Sequence, residues 1–438
     1  MMQSPAPPLT ERRYLIPLIL VTSLFFLWAF GVNLNDILIP HFKKLFQLND
    51  FRSSFIQVAF FGGYFLAAFP AGWLMERIGY KNGILAGLAI CALGALLFLP
   101  ASTIRLYSFF LLASFVLACG QSFLEVAANP YATILGPSAS ADRRLNFAQS
   151  FNALGAVVSP WLGRNFILTG VDYSAAQLAV MTTAQVEAYR ASEAATVRGP
   201  YLFMAGIFLF VAMLIGFAHL PDVKGEATVQ KDGAHETGGS QSLLFHRHLI
   251  RGVLAQFFYV GAQVGVTSFV IRFTQASITG INEKTAANYL LLHLIGFWAG
   301  RVIGSALMKM IPSYRLLSLF AGGSLCCAVL AIGFTGVFPV WAVVFIGFFH
   351  SIMFPTIFAL SIKDLGPLTK RGSSLLVMAI IGGALFPPIM GRISDATNIR
   401  TAFCVPLICY AYILYFGLSG YKPVNSPIAN EGAATPVT

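Results

Sequence analysis

The stretch Gly72–Leu85, GWLMERIGYKNGIL, is a short charged interruption between two long apolar runs. A related pattern returns at Gly304–Leu317, GSALMKMIPSYRLL, which also opens with glycine and reaches basic residues before the next apolar run. A helix needs about 20 mostly apolar residues to cross the hydrocarbon core of a bilayer. Two such interruptions, far apart in one chain, therefore indicate two repeated units of membrane-spanning helices.

The composition of the chain supports a membrane protein. Of its 438 residues, 57% are hydrophobic and 10% are charged, and the mean hydropathy is +0.74. Soluble domains carry roughly 25% charged residues. Backbone groups inside lipid must be satisfied within the protein, so the spans are expected to be helices and the fold all-α. The net charge of +11 is assigned to loops at the membrane surface, and no nucleic-acid partner is expected.

The apolar runs predict twelve transmembrane helices in two pseudo-symmetric six-helix halves. The predicted spans are about 14–40, 53–75, 82–100, 105–135, 145–168, 200–220, 250–275, 285–309, 315–334, 339–362, 372–394 and 400–420. The predicted organisation is an N-terminal half at 1–220, a cytoplasmic linker at 221–249, and a C-terminal half with a short tail at 250–438. A second polar stretch, 169–199, is expected to form an external loop. Lys and Arg are more frequent in the loops on the side of the termini, which places both termini in the cytoplasm.

Two acidic residues lie inside predicted spans. Asp36 occupies the first span, in GVNLNDILIP, and Glu125 occupies the fourth, in CGQSFLEVAANPY. An Asp at the centre of a membrane helix costs ~2.5–3.5 kcal/mol on insertion scales, so such an acid needs a cavity, a partner or a function. Burial also favours the neutral acid, which can then gain and lose a proton. We expect both to act in proton coupling; the alternative is a static acid that holds helices together.

Other polar side chains recur at helical spacing within the spans. Gln121, Glu125 and Asn129 share one helix face, and so do Gln256, Tyr259 and Gln263. Amide, carboxyl and phenol groups suit a ligand with many hydroxyls, and aromatic faces can stack on a sugar ring. The alternative is contact between helices. The predicted substrate-binding residues are Asn33, Gln121, Glu125, Gln149, Asn152, Tyr259, Gln263, His350 and Phe354.

Two further features of the spans predict structure more than ligand binding. Arg301, in the eighth span, is interpreted as a structural residue that pairs with a carboxylate or a carbonyl, or extends to the membrane surface. Gly382–Gly383 and Pro387–Pro388 predict a break or strong bend in the eleventh span. That bend is either a gate or a static kink.

The sequence carries no sign of catalysis or of a cofactor. The six cysteines all lie in apolar runs without metal-ligand spacing, so neither disulfides nor a metal site are expected. No Ser/His/Asp arrangement and no phosphate-binding G-x-x-x-x-G-K-[ST] motif occur. We therefore expect a protein that is not an enzyme and needs no cofactor, with the proton as its only coupling ion.

The loop after the second span resembles the signature of the major facilitator superfamily, which reads roughly G-x-L-x-D-R-x-G-R-K. Here the matching residues are Gly72, Glu76, Arg77, Gly79 and Lys81, with Glu76 in place of the usual Asp. The resemblance implies the two-half fold predicted above. It also implies that these five residues, called here the latch, hold one conformation through ionic contacts between helices.

Longer stretches resemble the fucose:proton symporter family within that superfamily. They include SLFFLWAFGVNLNDILIPHF, LEVAANPYATILGP, RRLNFAQSFNALGA, AQFFYVGAQVGVTSFVIRF and FPTIFALSIKDLGPLTKRGSSLLVMAIIGGA. The resemblance implies that Asp36 and Glu125 serve proton coupling, that Glu125 also binds sugar, and that Asn152 lies near the sugar. Glu125 is typical of fucose members, whereas hexose members carry Gln there. Phe354 stands where fucose members carry Tyr.

The sequence therefore predicts a proton-coupled symporter that imports a monosaccharide, L-fucose or a related hexose such as galactose or glucose, by alternating access. It is expected to be a monomer in the lipid bilayer of a bacterial inner membrane. A passive sugar facilitator of the same fold and a membrane sugar sensor that does not transport remain as alternatives. A carrier of another solute, such as a nucleoside or drug, is disfavoured by the polar faces.

Overall fold

The structure is a computed structural model that describes residues 8–46, 55–166, 177, 180–218, 220, 246–281 and 283–423. Within this range, the side chains of 33–45, 160–166 and 283–284 are not described. The described residues are almost entirely helical and contain no β-strand, as the prediction of an all-α membrane protein requires.

Fourteen α-helices, numbered here in chain order, make up the described part. They are α1 (Leu15–Leu45), α2 (Phe55–Ile104), α3 (Tyr107–Ile134), α4 (Ala141–Phe166), α5 (Thr183–Thr196), α6 (Arg198–Phe217), α7 (Arg247–Ser277), α8 (Glu283–Leu307), α9 (Ser313–Gly333), α10 (Val337–His350), α11 (Met353–Ile362), α12 (Thr369–Met378), α13 (Gly382–Ala396) and α14 (Cys404–Tyr415). Short 3-10 turns precede α1, α4, α12, α13 and α14, and a π-helical turn at Phe416–Gly420 follows α14.

These helices make twelve crossings of the membrane, as predicted. Within the described residues, ten continuous helical runs are long and apolar enough to span it. One of them, α2, has 50 residues, or about 75 Å at ~1.5 Å per residue, more than twice a hydrocarbon core of ~30 Å. Its backbone leaves the helical region at Gly79, where φ is +79°, a conformation open to glycine. The second and third spans therefore meet at Gly79, and α4 supplies the remaining crossing.

Two crossings are broken within the membrane. The eleventh is interrupted by a 3-10 turn at Ala379–Ile381 between α12 and α13. The predicted break is therefore present, but it precedes Gly382, and Pro387 and Pro388 lie inside α13. The tenth crossing, predicted as one helix over 339–362, is divided into α10 and α11 after His350.

Two polar stretches differ in detail from the predictions. The stretch 169–199, expected as a loop, contains α5, which begins with a reciprocal capping box between Thr182 and Gln185. Most of the predicted linker, 221–245, lies outside the described residues, and α7 begins at Arg247, before the predicted end of the linker.

Both ends of the described chain lie on one face of the molecule, called here the terminal face. The hydroxyl of Thr10 donates to the Leu135 carbonyl (2.7 Å), and the Tyr314 and Tyr421 rings stack with centroids 4.7 Å apart. On the opposite face, Arg105 pairs with Glu187 (3.0 Å). The helices from α1 to α6 pack together, as do those from α7 to α14, and α4–α8 and α2–α12 form the main contacts between these two halves.

Candidate functional site

Glu125 lies on α3 inside the N-terminal half and is completely buried. Among the described residues, neither of its carboxylate oxygens has a hydrogen-bond partner. One turn further along, the Asn129 amide donates to the backbone carbonyl of Glu125 (3.1 Å). A buried polar group without a partner is costly, which marks this carboxyl group as a candidate for binding a proton or a ligand.

Gln121 lies one turn before Glu125 on the same face of α3 and meets α1. Its side-chain oxygen accepts from the Tyr64 hydroxyl (3.3 Å), while its amide nitrogen is buried without a partner in the described part of the chain. A methyl group added at Gly31 of α1 would overlap this nitrogen. The predicted residues Asn33 and Asp36 follow on α1, and their side chains lie outside those that the structure describes.

A chain of hydrogen bonds leads from α3 to the C-terminal half. The Gln149 amide on α4 donates to the side-chain oxygen of Asn129 (2.8 Å). The Arg301 guanidinium on α8 donates to the backbone carbonyl of Gln149 (2.9 Å) and to its side-chain oxygen (3.4 Å). Asn152, one turn after Gln149, donates to the Phe25 carbonyl of α1 (3.3 Å). The predicted amides thus lie between α1, α3 and α8.

At the break in the tenth crossing, two backbone carbonyl groups accept hydrogen bonds from side chains of other helices. Pro355 has no N–H, so the Ser351 carbonyl loses its helical partner. Arg301 donates its Nε–H to that carbonyl. The Tyr259 hydroxyl on α7 donates to the preceding carbonyl, that of His350 (3.0 Å). Arg301 is thus paired with carbonyls, as the structural interpretation allowed, and it also joins the halves.

The C-terminal half contributes a second polar cluster. The Nε2 atom of His350 lies 2.6 Å from the Tyr410 hydroxyl, and its Nδ1 atom is buried without a partner among the described residues. The Phe354 ring meets the Tyr259 ring edge-on with centroids 6.2 Å apart. Gln263, one further turn along α7, is partly buried. Of the C-terminal residues predicted to bind substrate, Tyr259, His350 and Phe354 are therefore brought together.

Sequence reasoning did not select two buried groups of the C-terminal cluster. Gln256 precedes Tyr259 on the same face of α7, and both polar atoms of its side chain are buried without a partner in the described part of the chain. Its place on the polar face of the seventh span was a usable signal. Tyr410 lies in an apolar run of the twelfth span, so no pattern in the sequence separates it from an ordinary packing residue.

The latch joins the halves through two of its five residues. Glu76 pairs with Arg371 of α12 (2.7 Å). Gly72 allows α12 to approach so closely that a methyl group here would overlap the Ser374 hydroxyl. Beside them, Lys370 donates to the Met75 carbonyl (2.8 Å).

The other latch residues act within the N-terminal half. Arg77 stacks on the Trp73 ring, 3.9 Å from its centroid. Lys81 donates to the carbonyls of Gly216 and Ala218 at the end of α6 (2.9 Å each), and Gly79 supplies the positive φ that ends the second crossing. In the described part of the chain, the expected ionic network therefore consists of one ion pair between the halves, Glu76 with Arg371, together with local contacts of the neighbouring residues.

Further contacts close the terminal face between the halves. The Asn146 amide donates to the Thr356 hydroxyl (3.1 Å), and the Ser313 hydroxyl donates to the Asp142 carboxylate. Arg144, in the first turn of α4, is buried and donates to carbonyls at the end of α3, among them that of Ala132 (2.7 Å). No group of three or more His, Cys, Asp or Glu in the described chain could hold a metal ion.

Solved structures share this architecture. The crystal structure of a major facilitator superfamily transporter, FucP, in the outward conformation superposes with a TM-score of 0.84 at 41% sequence identity, covering 93% of this chain and 99% of that one. The crystal structure of a single-residue alanine variant of the Escherichia coli fucose:proton symporter FucP gives a TM-score of 0.83 at 40% identity, with the same coverage.

Relatives and a family model agree with these structures. The chain is 43% identical to a glucose/galactose transporter of Brucella abortus, over 94% of this chain and 96% of that protein. It is 41% identical to the L-fucose-proton symporter of Escherichia coli K12, over 93% of each chain. The Major Facilitator Superfamily model matches residues 21–380. The chain is thus a multi-pass membrane protein that belongs to the major facilitator superfamily, within the group of L-fucose-proton symporters and glucose/galactose transporters.

Proposed function

We propose that this protein is a proton-coupled symporter that imports a monosaccharide by alternating access. The single observation that carries the proposal is Glu125, a completely buried carboxyl group without a hydrogen-bond partner among the described residues. It lies where α3 is connected through Asn129 and Gln149 to Arg301 of the other half. The names of relatives, an L-fucose-proton symporter and glucose/galactose transporters, support the same activity.

In the proposed cycle, proton binding keeps the loaded pocket electrically neutral. A charged carboxylate without a cation would oppose closure of the pocket into a space of low dielectric constant. The protonated acid can instead donate a hydrogen bond to a sugar hydroxyl. Proton and sugar then stabilise the same closed intermediate, after which the two halves rock to open the other side. Asp36 is proposed as a second proton group coupled to Glu125.

The substrate is proposed to be L-fucose or a related hexose such as galactose or glucose. The amide nitrogen of Gln121 and the Nδ1 atom of His350, neither of which has a partner among the described residues, offer polar contacts. Tyr259 and Phe354 offer ring surfaces. We further propose that Asn33, Gln149, Asn152 and Gln263 belong to the same pocket, that the protein acts as a monomer, and that it needs no cofactor.

The terminal face is proposed to face the cytoplasm of a bacterium, with the protein in the inner membrane. Positive residues concentrate on that side of the predicted topology. The ion pair of Glu76 with Arg371 and the contact of Arg301 with Gln149 join the halves toward this face. Under the alternating-access proposal, a pocket closed on the cytoplasmic side is one that receives sugar from outside.

The proposal is tested with purified protein in proteoliposomes at an external pH one unit below the internal pH. One pH unit corresponds to ~1.4 kcal/mol, so one proton per sugar gives at most about tenfold accumulation. We expect wild-type protein to accumulate labelled L-fucose or galactose. Glu125→Gln should lose accumulation but keep sugar exchange at equal pH. Glu187→Gln, which removes an exposed acid paired with Arg105, is the matched control and should accumulate sugar normally.

Other outcomes separate the alternatives. A passive facilitator would equilibrate sugar without accumulating it, in the wild type as in Glu125→Gln. A sensor would bind sugar without transporting it, and no labelled sugar would enter the vesicles. Competition among fucose, galactose, glucose, mannose and arabinose against one labelled sugar would identify the substrate.

A further inference from the structure

A groove runs along the outside of the molecule between α4 and α8, which belong to different halves. Its volume is about 610 Å³, within the range of roughly 300–1,000 Å³ that is typical of small-molecule sites. The groove is separate from the polar cluster, because the contact of Arg301 with the Gln149 carbonyl lies between the same two helices on their buried sides.

The walls of the groove are apolar and exposed. On α4, Phe147, Phe151 and Leu154 line one wall and are 36–38% exposed; on α8, Trp298 and Val302 line the other and are 38% and 45% exposed. Apolar side chains on the outer surface of membrane helices face lipid tails. The groove therefore opens to the bilayer and suits a hydrocarbon chain.

Two cationic side chains lie at one end of the groove. Arg143 is in the first turn of α4, and Lys309 follows the end of α8. The helices are antiparallel, and the Ser305 hydroxyl donates to the Arg143 carbonyl (3.3 Å), so both cations line the end of the groove at the terminal face. No acidic side chain is among the described residues that line it.

The N-terminal segment forms a rim at this charged end. Leu9 lines the groove, and its carbonyl accepts from Arg144 (2.9 Å). The hydroxyl of Thr10 is bonded to the Leu135 carbonyl at the end of α3. The segment is thus fixed across the mouth, and a ligand there would be bounded on three sides.

We propose that this groove binds an anionic phospholipid of the surrounding leaflet. Its acyl chain lies along the aromatic walls, and its phosphate lies between Arg143 and Lys309. Basic pockets between membrane helices bind anionic headgroups, and arginine pairs well with phosphate oxygens. Because one wall belongs to each half, the bound lipid stabilises the arrangement closed at the terminal face.

The test is native mass spectrometry of the full-length protein, delipidated in detergent and then incubated with defined lipids. Phosphatidylglycerol and phosphatidylcholine with identical acyl chains are compared, and inorganic phosphate is added as a competitor. We expect wild-type protein to retain phosphatidylglycerol at least fivefold more than phosphatidylcholine. Lys309→Gln should lower this retention about fivefold, the factor that corresponds to ~1 kcal/mol per basic residue near an anionic headgroup.

A second variant tests the apolar part without changing charge. Ala306 lines the groove and is exposed, so Ala306→Trp should fill the space and exclude the lipid. The matched controls are Lys422→Gln, at an exposed lysine outside the groove, and Ile303→Trp, on an exposed face of α8 that does not line it. Both controls should retain lipid as the wild type does, and thermal melting checks the fold of each variant.

Three outcomes would overturn the proposal. Equal retention of phosphatidylglycerol and phosphatidylcholine would mean that the charge of the headgroup does not affect binding. Unchanged lipid retention in both Lys309→Gln and Ala306→Trp would place the lipid elsewhere. If Ala306→Trp does not fold, unchanged retention in Lys309→Gln is sufficient for that conclusion. Complete displacement by millimolar phosphate would identify a site for free phosphate instead of a lipid.

Discussion

Gly72→Ala is expected to weaken closure of the terminal face. The added methyl group would overlap the Ser374 hydroxyl of α12 and would lie 3.0 Å from the Lys370 carbonyl oxygen and 3.2 Å from the Ser374 Cβ. Carbon atoms in favourable contact are ~3.5–4.0 Å apart. A rotation of the hydroxyl alone therefore does not make room, and α2 and α12 must separate by roughly 0.5 Å.

The size of the effect follows from this overlap. Inserting a methyl group into a well-packed contact costs ~1–3 kcal/mol. The contact exists only while the halves meet at the terminal face, so the cost falls on the closed arrangement and not on each half separately. An energy of ~1–3 kcal/mol corresponds to a shift of about 5- to 150-fold in a two-state equilibrium. We expect the open population to rise by a factor in this range.

Hydrogen exchange followed by mass spectrometry measures this population without labels. Amides that exchange only when the halves separate do so at a rate proportional to the open population. Peptides covering 366–378, which contain Lys370 and Ser374, should exchange faster in Gly72→Ala. Peptides from the opposite face, such as those around Arg105, should be unchanged.

Two further variants make the prediction sharp. Gly62 lies on the same helix, and a methyl group there would meet no atom within 4 Å, so Gly62→Ala is the matched control and should exchange as the wild type does. Ser374→Gly removes both atoms of the overlapping side chain and should partly restore closure to Gly72→Ala. Uniformly faster exchange throughout the protein, or equal effects of Gly62→Ala and Gly72→Ala, would refute the reasoning.

Three other substitutions test contacts described above. Glu76→Gln should destabilise the closed arrangement by no more than ~1 kcal/mol, because its pair with Arg371 is partly exposed. The same α12 peptides should therefore exchange at most about fivefold faster, and the difference should be smaller at high salt. Tyr410→Phe should lower thermal stability by ~1–3 kcal/mol, since it removes the buried partner of His350 Nε2; an unchanged melting temperature would contradict this. Arg301→Lys should lower the free energy of unfolding by about 2–4 kcal/mol, because a lysine cannot donate to the Ser351 and Gln149 carbonyls at the same time. Thermal unfolding in detergent would detect this loss of stability.

The sequence was sufficient for the architecture because hydrocarbon imposes a simple rule on each span. Twelve apolar runs gave twelve crossings, and the charged interruption at Gly72–Leu85 marked one of the turns between them. Breaks inside crossings were harder to place. The eleventh crossing departs from the α-helix at Ala379–Ile381, before Gly382, whereas Pro387 and Pro388 lie within the helix that follows. A proline removes the hydrogen bond to the carbonyl four residues earlier and restricts the residue directly before it, so neither proline explains a break at 379–381.

The sequence predicted on which helix face several candidate residues lie, but not which of them contact each other. Helical spacing placed Gln121 and Glu125 on one face, and burial agrees with that placement. No pattern along the chain shows that Gln149 meets Arg301, since these residues are 152 positions apart. A signal for Arg301 was present in Pro355, which leaves the Ser351 carbonyl without a helical partner, but only the fold shows which donor reaches that carbonyl.

The position of Arg301 provides, on the proposed function, a route of communication between the pocket and the closure. This buried cation is bonded to the Gln149 carbonyl in one half and to the Ser351 carbonyl in the other. Gln149 is in turn bonded to Asn129, one turn from Glu125. A sugar or proton that reorients these amides therefore changes the hydrogen-bond partners of Arg301. Losing its contact with either half would leave a buried positive charge without a partner, at a large cost in free energy. If this route operates, Asn129→Ala should leave sugar exchange more active than proton-driven accumulation. Equal losses of both activities would mean that the chain of hydrogen bonds serves packing alone.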